Sequence, residues 1–331
     1  MLKPLLVLSL VLLGLAAAPG AARARETDIV VSTVSQDGMV GLLLRPAVST
    51  DRVPAGAVPA VLVLGGSEGG LSPEVTQEAR LIAQHGMAAF QLAYFGTGDL
   101  PESLQLIPLE YFMHAIAWLG VQPGIDPARI AILGTSVGGE AALLIASHDN
   151  AVHAVVAAVP SGIVWQGLGI WGQRNPLSSF SWHGQALPSL PHGVARGTTI
   201  FDRYASGLSN LGRHRDAIMP VERIRGPVML VCGGRDVIWP SCPMARMVAA
   251  QLHAAHFVYP VAVLAFPKAG HAVFGPPRAV SDPTYPDLGS LGGTPAANDA
   301  ARTEDWPAFL AFLDRAFDDV ADESRIGLAS K

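Results

Sequence analysis

Cysteine is scarce in this chain: Cys232 and Cys242 are the only two among 331 residues. With no CxxC pair, neither a zinc cluster nor a thioredoxin-type redox site has its ligands. Charge is sparse as well. Charged residues make up 15%, the net charge is −5 and the isoelectric point lies near 6.0. No basic face marks a nucleic-acid binder, and there is no acidic tail. Phosphate-cradling motifs are missing: no Gly-Lys-Ser/Thr follows a glycine-rich turn, and the spacing G-x-G-x-x-G is not spelled. No internal repeat is present. Beyond the N-terminus, no apolar run approaches the length of a membrane span.

What the chain does have is apolar mass. Half of its residues are hydrophobic, enough for a large core, and α/β folds of this length are often single domains. Residues 1–24 stand apart as a predicted signal peptide. Lys3 supplies a minimal positive start, Leu5 to Leu15 an apolar segment too short to cross a bilayer comfortably, and Ala22-Arg23-Ala24 an A-x-A cleavage site. The expected mature chain begins near Arg25, is exported to the periplasm or beyond, and keeps no stable membrane insertion. An uncleaved anchor is the alternative. Outside the cytoplasm, Cys232 and Cys242 could form a disulfide that braces the loop between them, or remain two separate thiols.

Strands and helices alternate through the middle of the sequence. Asp28 to Ser32 and Met39 to Arg45 read as two strands around a turn at Gln36-Asp37-Gly38. Ala60 to Leu64 is a continuous apolar run, the mark of a central strand buried on both faces. Ser72 caps a helix that Pro73 opens and Gly86 stops. A strand over Met87 to Leu92, a helix over Leu109 to Leu119, and strands at Ile130 to Leu133, Ala154 to Ala158, Val228 to Cys232 and Val261 to Phe266 follow. A helix from Pro243 to about His253 separates the last two. This order predicts a mostly parallel sheet flanked by helices, spanning residues 25–331 as one domain. Residues 160–219 interrupt it with no sustained period and read as a lid-like insertion. There, Trp165, Trp171, Phe180 and Trp182 could wall an acyl pocket, with Trp165 and Trp182 the expected substrate contacts. Residues 275–304 read as an irregular loop, and Glu304 to Phe317 as a closing amphipathic helix.

One stretch carries chemistry. Ile130 to Leu133 runs into Gly134-Thr135-Ser136-Val137-Gly138 and then into a helix rich in Ala and Leu. A G-x-S-x-G turn between strand and helix exposes a serine hydroxyl above the sheet edge, the nucleophile elbow of α/β-hydrolases. A serine hydroxyl needs a base, and the base needs a carboxylate. In this fold they follow in the order Ser, Asp or Glu, His. Ser136, Asp236 and His271 each sit just after a predicted strand, in that order. Val137, as the residue after the nucleophile, and Ser67, in the Gly65–Gly70 loop, are the expected oxyanion donors. His253 and His256 lack a third ligand, so no metal is expected, and no cofactor.

Several runs resemble the C-terminal catalytic domain shared by acyl-CoA thioesterases and bile acid-CoA:amino acid N-acyltransferase. They are Gly65-Gly66-Ser67-Glu68-Gly69-Gly70, Leu109-Glu110-Tyr111-Phe112, Gly134 to Glu140, Pro220-Val221-Glu222-Arg223-Ile224, Trp239-Pro240-Ser241 and Gly270-His271. The resemblance covers residues 60 to 320. It implies an α/β-hydrolase fold with a dienelactone-hydrolase-like core, and Ser136, Asp236 and His271 as a triad. It also implies acyl transfer from a small-molecule thioester or ester through an acyl-serine. The chain departs from the family in three ways. Residues 25 to 59 hold two strands where animal members carry an immunoglobulin-like domain. The amino-acid transferases use cysteine where Ser136 stands, which favours hydrolysis over transfer. Export would also separate the enzyme from coenzyme A, an intracellular carrier. Transfer to an amine or alcohol, and a non-catalytic binding protein on the same fold, are the alternatives.

Overall fold

A computed structural model describes residues 28–47, 57–169, 177–193 and 199–329. The predicted signal peptide and Trp171 lie outside the described residues. Eight strands form one sheet: β1 (Ile29–Gln36), β2 (Met39–Pro46), β3 (Val58–Leu64), β4 (Ala88–Ala93), β5 (Ile125–Thr135), β6 (Ala154–Ala158), β7 (Val228–Gly233) and β8 (Val261–Phe266). Their spatial order is β1-β2-β4-β3-β5-β6-β7-β8. The β1–β2 hairpin pairs antiparallel onto β4, and β4 through β8 are mutually parallel with β3.

The central parallel strands are mostly apolar because both of their faces are covered. Along β3, Ala60, Leu62 and Leu64 enter one core, and Val61 and Val63 enter the other. Ile130 and Ile132 of β5 repeat the first pattern, Ala131 and Leu133 the second. Helices α2 (Leu109–Gly120), α3 (Val137–Ala146) and α5 (Ser241–Ala254) close the first face. Helices α1 (Pro73–Gln84) and α6 (Pro295–Ala329) close the second. Each fully buried Leu or Ile contributes roughly 1.5–3 kcal/mol. The ends of these elements follow local chemistry. The Ser72 hydroxyl accepts from the Val75 amide, and Pro73 takes the first turn of α1.

Two elements differ from expectation. Between β6 and β7, the insertion contains a helix, α4 (Ile200–Ser209), opened by a reciprocal cap in which Thr199 and Asp202 each bond the other's backbone amide. It has its own small core of Ile163, Trp165, Leu190, Tyr204, Trp239 and Met244. The last helix begins at Pro295 and not at Glu304. Thr294 caps it, with its hydroxyl accepting from the Ala297 amide. The first turns of α6 bury Asn298, Arg302 and Asp305. A face of buried polar groups leaves no apolar stripe to read.

Candidate active site

The strand β5 turns into α3 within one residue. Ser136 takes that turn with φ 61° and ψ −122°, a conformation that costs a non-glycine residue of order 1–3 kcal/mol. The turn closes because its neighbours have no side chain. A Cβ on Gly134 would stand 1.9 Å from the Gly138 carbonyl oxygen, and a Cβ on Gly138 would stand 2.3 Å from that of Gly65. The Ser136 amide donates to Ala158 O at 2.9 Å, which ties the turn to β6.

Asp236 follows β7 and His271 follows β8, so the sheet delivers both to the same edge. His271 Nε2 lies 3.0 Å from Ser136 Oγ. His271 Nδ1 lies 2.8 Å from Asp236 Oδ2. With its proton on Nδ1 donated to Asp236, the imidazole leaves Nε2 free to accept the serine hydroxyl. The other oxygen of Asp236 accepts from the amides of Ile238 (2.9 Å) and Trp239 (3.2 Å). Asp236 and His271 are both buried, so these bonds are made away from bulk water, where they are stronger. The Cys232–Cys242 disulfide closes the loop that carries Asp236.

The His271 loop is held from behind by α6. Asn298, fully buried, accepts from the Gly270 amide at 2.7 Å and donates to Leu288 O, Gly292 O and Thr294 O. Arg302 donates to Ala272 O and Pro276 O. Sequence reasoning passed over both because residues 275–304 read as loop. A Thr-Pro pair ahead of them was the available signal.

On the opposite side of Ser136 lies the loop after β3. A Cβ on Gly66 would stand 3.2 Å from Ser136 Cβ, so this backbone touches the elbow. The loop is fixed by Tyr94, whose hydroxyl donates to Gly65 O (2.6 Å) and Gly66 O (3.0 Å). The Gly66 amide donates to Glu68 Oε1 at 2.7 Å. Ser67 is the next residue, exposed at the site, and Val137 is the first residue of α3, whose amide lacks an intrahelical acceptor. A cavity of about 370 Å³ opens beside Ser67, lined by Phe95, Glu102, Leu104 and Leu168.

The aromatics expected to wall the substrate pocket lie elsewhere. Trp165 is 1% exposed. Its amide donates to Glu140 Oε1 (2.9 Å) and its indole to Ser161 Oγ (3.0 Å). Phe180 is in the main core. Trp182 packs against His148, just past the C-terminal end of α3 and so away from Ser136. Trp165 packs within the insertion, whereas Phe180 and Trp182 pack against the main core. A stack does reach the site: Trp165 meets Tyr204, Tyr204 meets Trp239, and Trp239 meets His271 edge-on, with ring centroids 4.8, 5.4 and 6.2 Å apart. Glu140, one turn beyond Ser136, is buried without a cationic partner among the described residues, and burial pushes its carboxyl up to about 8.

Comparison with known proteins bears on the family and the fold. The family profile described as BAAT / Acyl-CoA thioester hydrolase C terminal matches residues 107–319. The chain is 28% identical over 291 residues to human acyl-coenzyme A thioesterase 6, covering 82% of this chain and 66% of that one. It is 31% identical over 270 residues to mouse acyl-coenzyme A amino acid N-acyltransferase 1, covering 78% and 60%. It thus spans somewhat less than two-thirds of the length of the curated relatives it matches. Among solved structures, a putative dienelactone hydrolase from Klebsiella pneumoniae aligns with a TM-score of 0.52 and 17% identity, over 87% of this chain and 98% of that one. An acylaminoacyl peptidase from Pyrococcus horikoshii gives a TM-score of 0.53 and 13% identity, over 88% and 42%. These likenesses establish the α/β-hydrolase fold.

Proposed function

The chain belongs to the BAAT / acyl-CoA thioester hydrolase C-terminal family, and from that premise we propose that it is an exported serine hydrolase of acyl thioesters and carboxylic esters. The relatives named as acyl-coenzyme A thioesterases support thioester hydrolysis. The observation that carries the mechanism is the chain of contacts from Ser136 Oγ through His271 to Asp236, built on a strained turn.

In this reading His271 Nε2 takes the Ser136 proton as Oγ attacks the acyl carbonyl. The tetrahedral oxyanion is met by the amides of Val137 and Ser67. The intermediate collapses with cleavage of the carbon–sulfur or carbon–oxygen bond, and the imidazolium returns its proton to the departing thiolate or alkoxide. Water, deprotonated by the same imidazole, then attacks the acyl-serine and releases the acid. Asp236 fixes the tautomer throughout. The cavity beside Ser67 takes the acyl chain, against Phe95, Leu104 and Leu168. Residues 160–219 serve as a lid.

A fluorophosphonate probe tests the nucleophile. Folded protein is expected to label at Ser136 alone, located by peptide mass spectrometry, and folded protein that fails to label contradicts the proposal. Export is tested by N-terminal sequencing of protein recovered from the periplasm or medium, which is expected to begin near Arg25. Product analysis with added amines and alcohols separates hydrolysis from transfer, and the free acid is expected to dominate.

A further inference from the structure

Tyr94 stands just past the end of β4, the strand beside β3, with its ring fully buried in the main core. A phenol hydroxyl in such a place must find partners. This one finds them in the loop that carries Ser67, donating to Gly65 O at 2.6 Å and to Gly66 O at 3.0 Å. The Tyr94 backbone amide donates to Gly69 O at 3.2 Å, so one residue grips both ends of the loop. The Gly69 amide donates to Gly66 O at 3.2 Å and closes a turn from Gly66 to Gly69. Glu68 folds its carboxylate back on the start of that turn, where Oε1 accepts from the Gly66 amide at 2.7 Å. The Gly65–Gly66 peptide is thus held at its carbonyl by Tyr94 and at its amide by Glu68. The Gly66–Ser67 peptide is held at its carbonyl alone. Among the described residues, nothing accepts from the Ser67 amide.

A trans peptide is planar, and its C=O and N–H point in opposite directions. Fixing Gly66 O inward on the Tyr94 hydroxyl therefore turns the Ser67 N–H outward, to the side on which Ser67 is exposed and lines the cavity. We propose that Tyr94 is a positioning residue for acyl transfer: by holding the Gly66 carbonyl it aims the Ser67 amide at the oxyanion, while Glu68 locks the preceding peptide. The proposal rests on the reading of Ser136 as nucleophile and Ser67 as an oxyanion donor. Burial, with Glu68 and Glu140 nearby, raises the Tyr94 hydroxyl well above its ordinary range, so it remains a donor throughout the neutral range. The aim of the amide matters when the acyl oxygen carries charge. Its effect therefore belongs in kcat and not in KM.

The test compares the native protein with Tyr94→Phe, which keeps the ring and removes the hydroxyl. With a short-chain thioester, kcat should fall by about 10- to 100-fold, less than the loss of a donor outright. KM should stay within about twofold of the native value. A trifluoromethyl ketone of the same acyl chain adds to Ser136 as a hemiketal and places an oxyanion where the substrate would. Its inhibition constant should rise by the factor by which kcat/KM falls. The matching S-alkyl thioether, which has no carbonyl, should bind both proteins alike. Glu68→Ala should show the same pattern in weaker form, and Glu68→Gln, which keeps an acceptor for the Gly66 amide, should recover most of the loss. If Tyr94→Phe does not fold, the Glu68 pair, on an exposed side chain, decides, and native kcat in Glu68→Ala then overturns the proposal. A folded Tyr94→Phe with lower Tm but native kcat and ketone affinity has lost a core hydrogen bond only, which also overturns it. So does an equal loss of affinity for ketone and thioether. Native protein that turns over neither thioester nor ester fails the Ser136 reading and this proposal with it, whereas native turnover matched by the variants fails the Tyr94 assignment alone.

Discussion

Ser136 holds a backbone conformation that its own side chain disfavours, and the residues around it make that possible. Gly138 is the clearest case, since a methyl group there would collide with the Gly65 and Leu64 carbonyl oxygens. Gly138→Ala should destabilise the fold by roughly 1–3 kcal/mol or more and abolish labelling at Ser136, as seen by thermal denaturation and probe reactivity. Asp236→Asn keeps the shape of the acid but presents an amide to His271. With the wrong tautomer favoured, kcat should drop by a factor on the order of 10⁴ at unchanged Tm, measured with a chromogenic ester. Ser136, Asp236 and His271 were legible in the sequence because each follows a short apolar strand and the elbow is spelled locally. Trp182 was misplaced because an aromatic in a stretch without period carries no direction. Its ring went to His148 at the far end of α3. Trp165 sits beneath the site and not along its wall, held through Glu140.

At the scale of elements, α3 and α6 each carry buried polar groups that do structural service. Glu140 on α3 has its carboxyl pushed up to about 8, Asp305 on α6 to about 8 and Glu78 on α1 to about 7, in each case chiefly by burial. The folded state therefore binds these protons more tightly than the unfolded chain does. The stability they confer is complete below the unfolded value of 4.5 for glutamate and is lost as pH rises toward 8. Each group contributes a slope of up to about 1.4 kcal/mol per pH unit inside that window. Glu140→Gln cannot ionise and still accepts from the Trp165 amide. Its Tm should decline less steeply than that of the native protein between pH 5 and about 8, with Glu78 and Asp305 supplying the remaining slope. Asn298 on α6 makes four hydrogen bonds, one to Gly270 beside His271 and three to carbonyls of residues 288, 292 and 294. Asn298→Ala should cost about 1–3 kcal/mol for the buried groups left unpaired and lower kcat, read by chemical denaturation and ester turnover. The helices α1 and α2 and the parallel strands could be read from apolar period and from Pro and Ser caps. The start of α6 could not, because its inward face is Asn298, Arg302 and Asp305 rather than an apolar stripe.

Across the whole molecule, one twisted sheet gathers distant parts of the chain at its C-terminal edge. Ser136, Asp236 and His271 come from the ends of β5, β7 and β8, and the loop that carries Ser67 from the end of β3. The insertion between β6 and β7 lays α4 over that edge, with Tyr204 against Trp239. The mostly parallel sheet and the site of the insertion were readable as alternation and its interruption. The inner packing of the insertion was not, since it depends on tertiary contacts between residues without a repeating pattern. The Cys232–Cys242 bond, left open by the sequence, pins the acid loop across ten residues. Replacing both cysteines by serine should lower stability by roughly 2–3 kcal/mol, measured by denaturant unfolding against the oxidised protein. The central claim is that a hydroxyl at this edge becomes acylated. Acid-quenching the protein during turnover of a short-chain thioester and digesting it should place one acyl mass on the peptide that contains Ser136, absent from Ser136→Ala. Continued turnover by Ser136→Ala, or native turnover with no acylated residue at any quench time, would contradict the account.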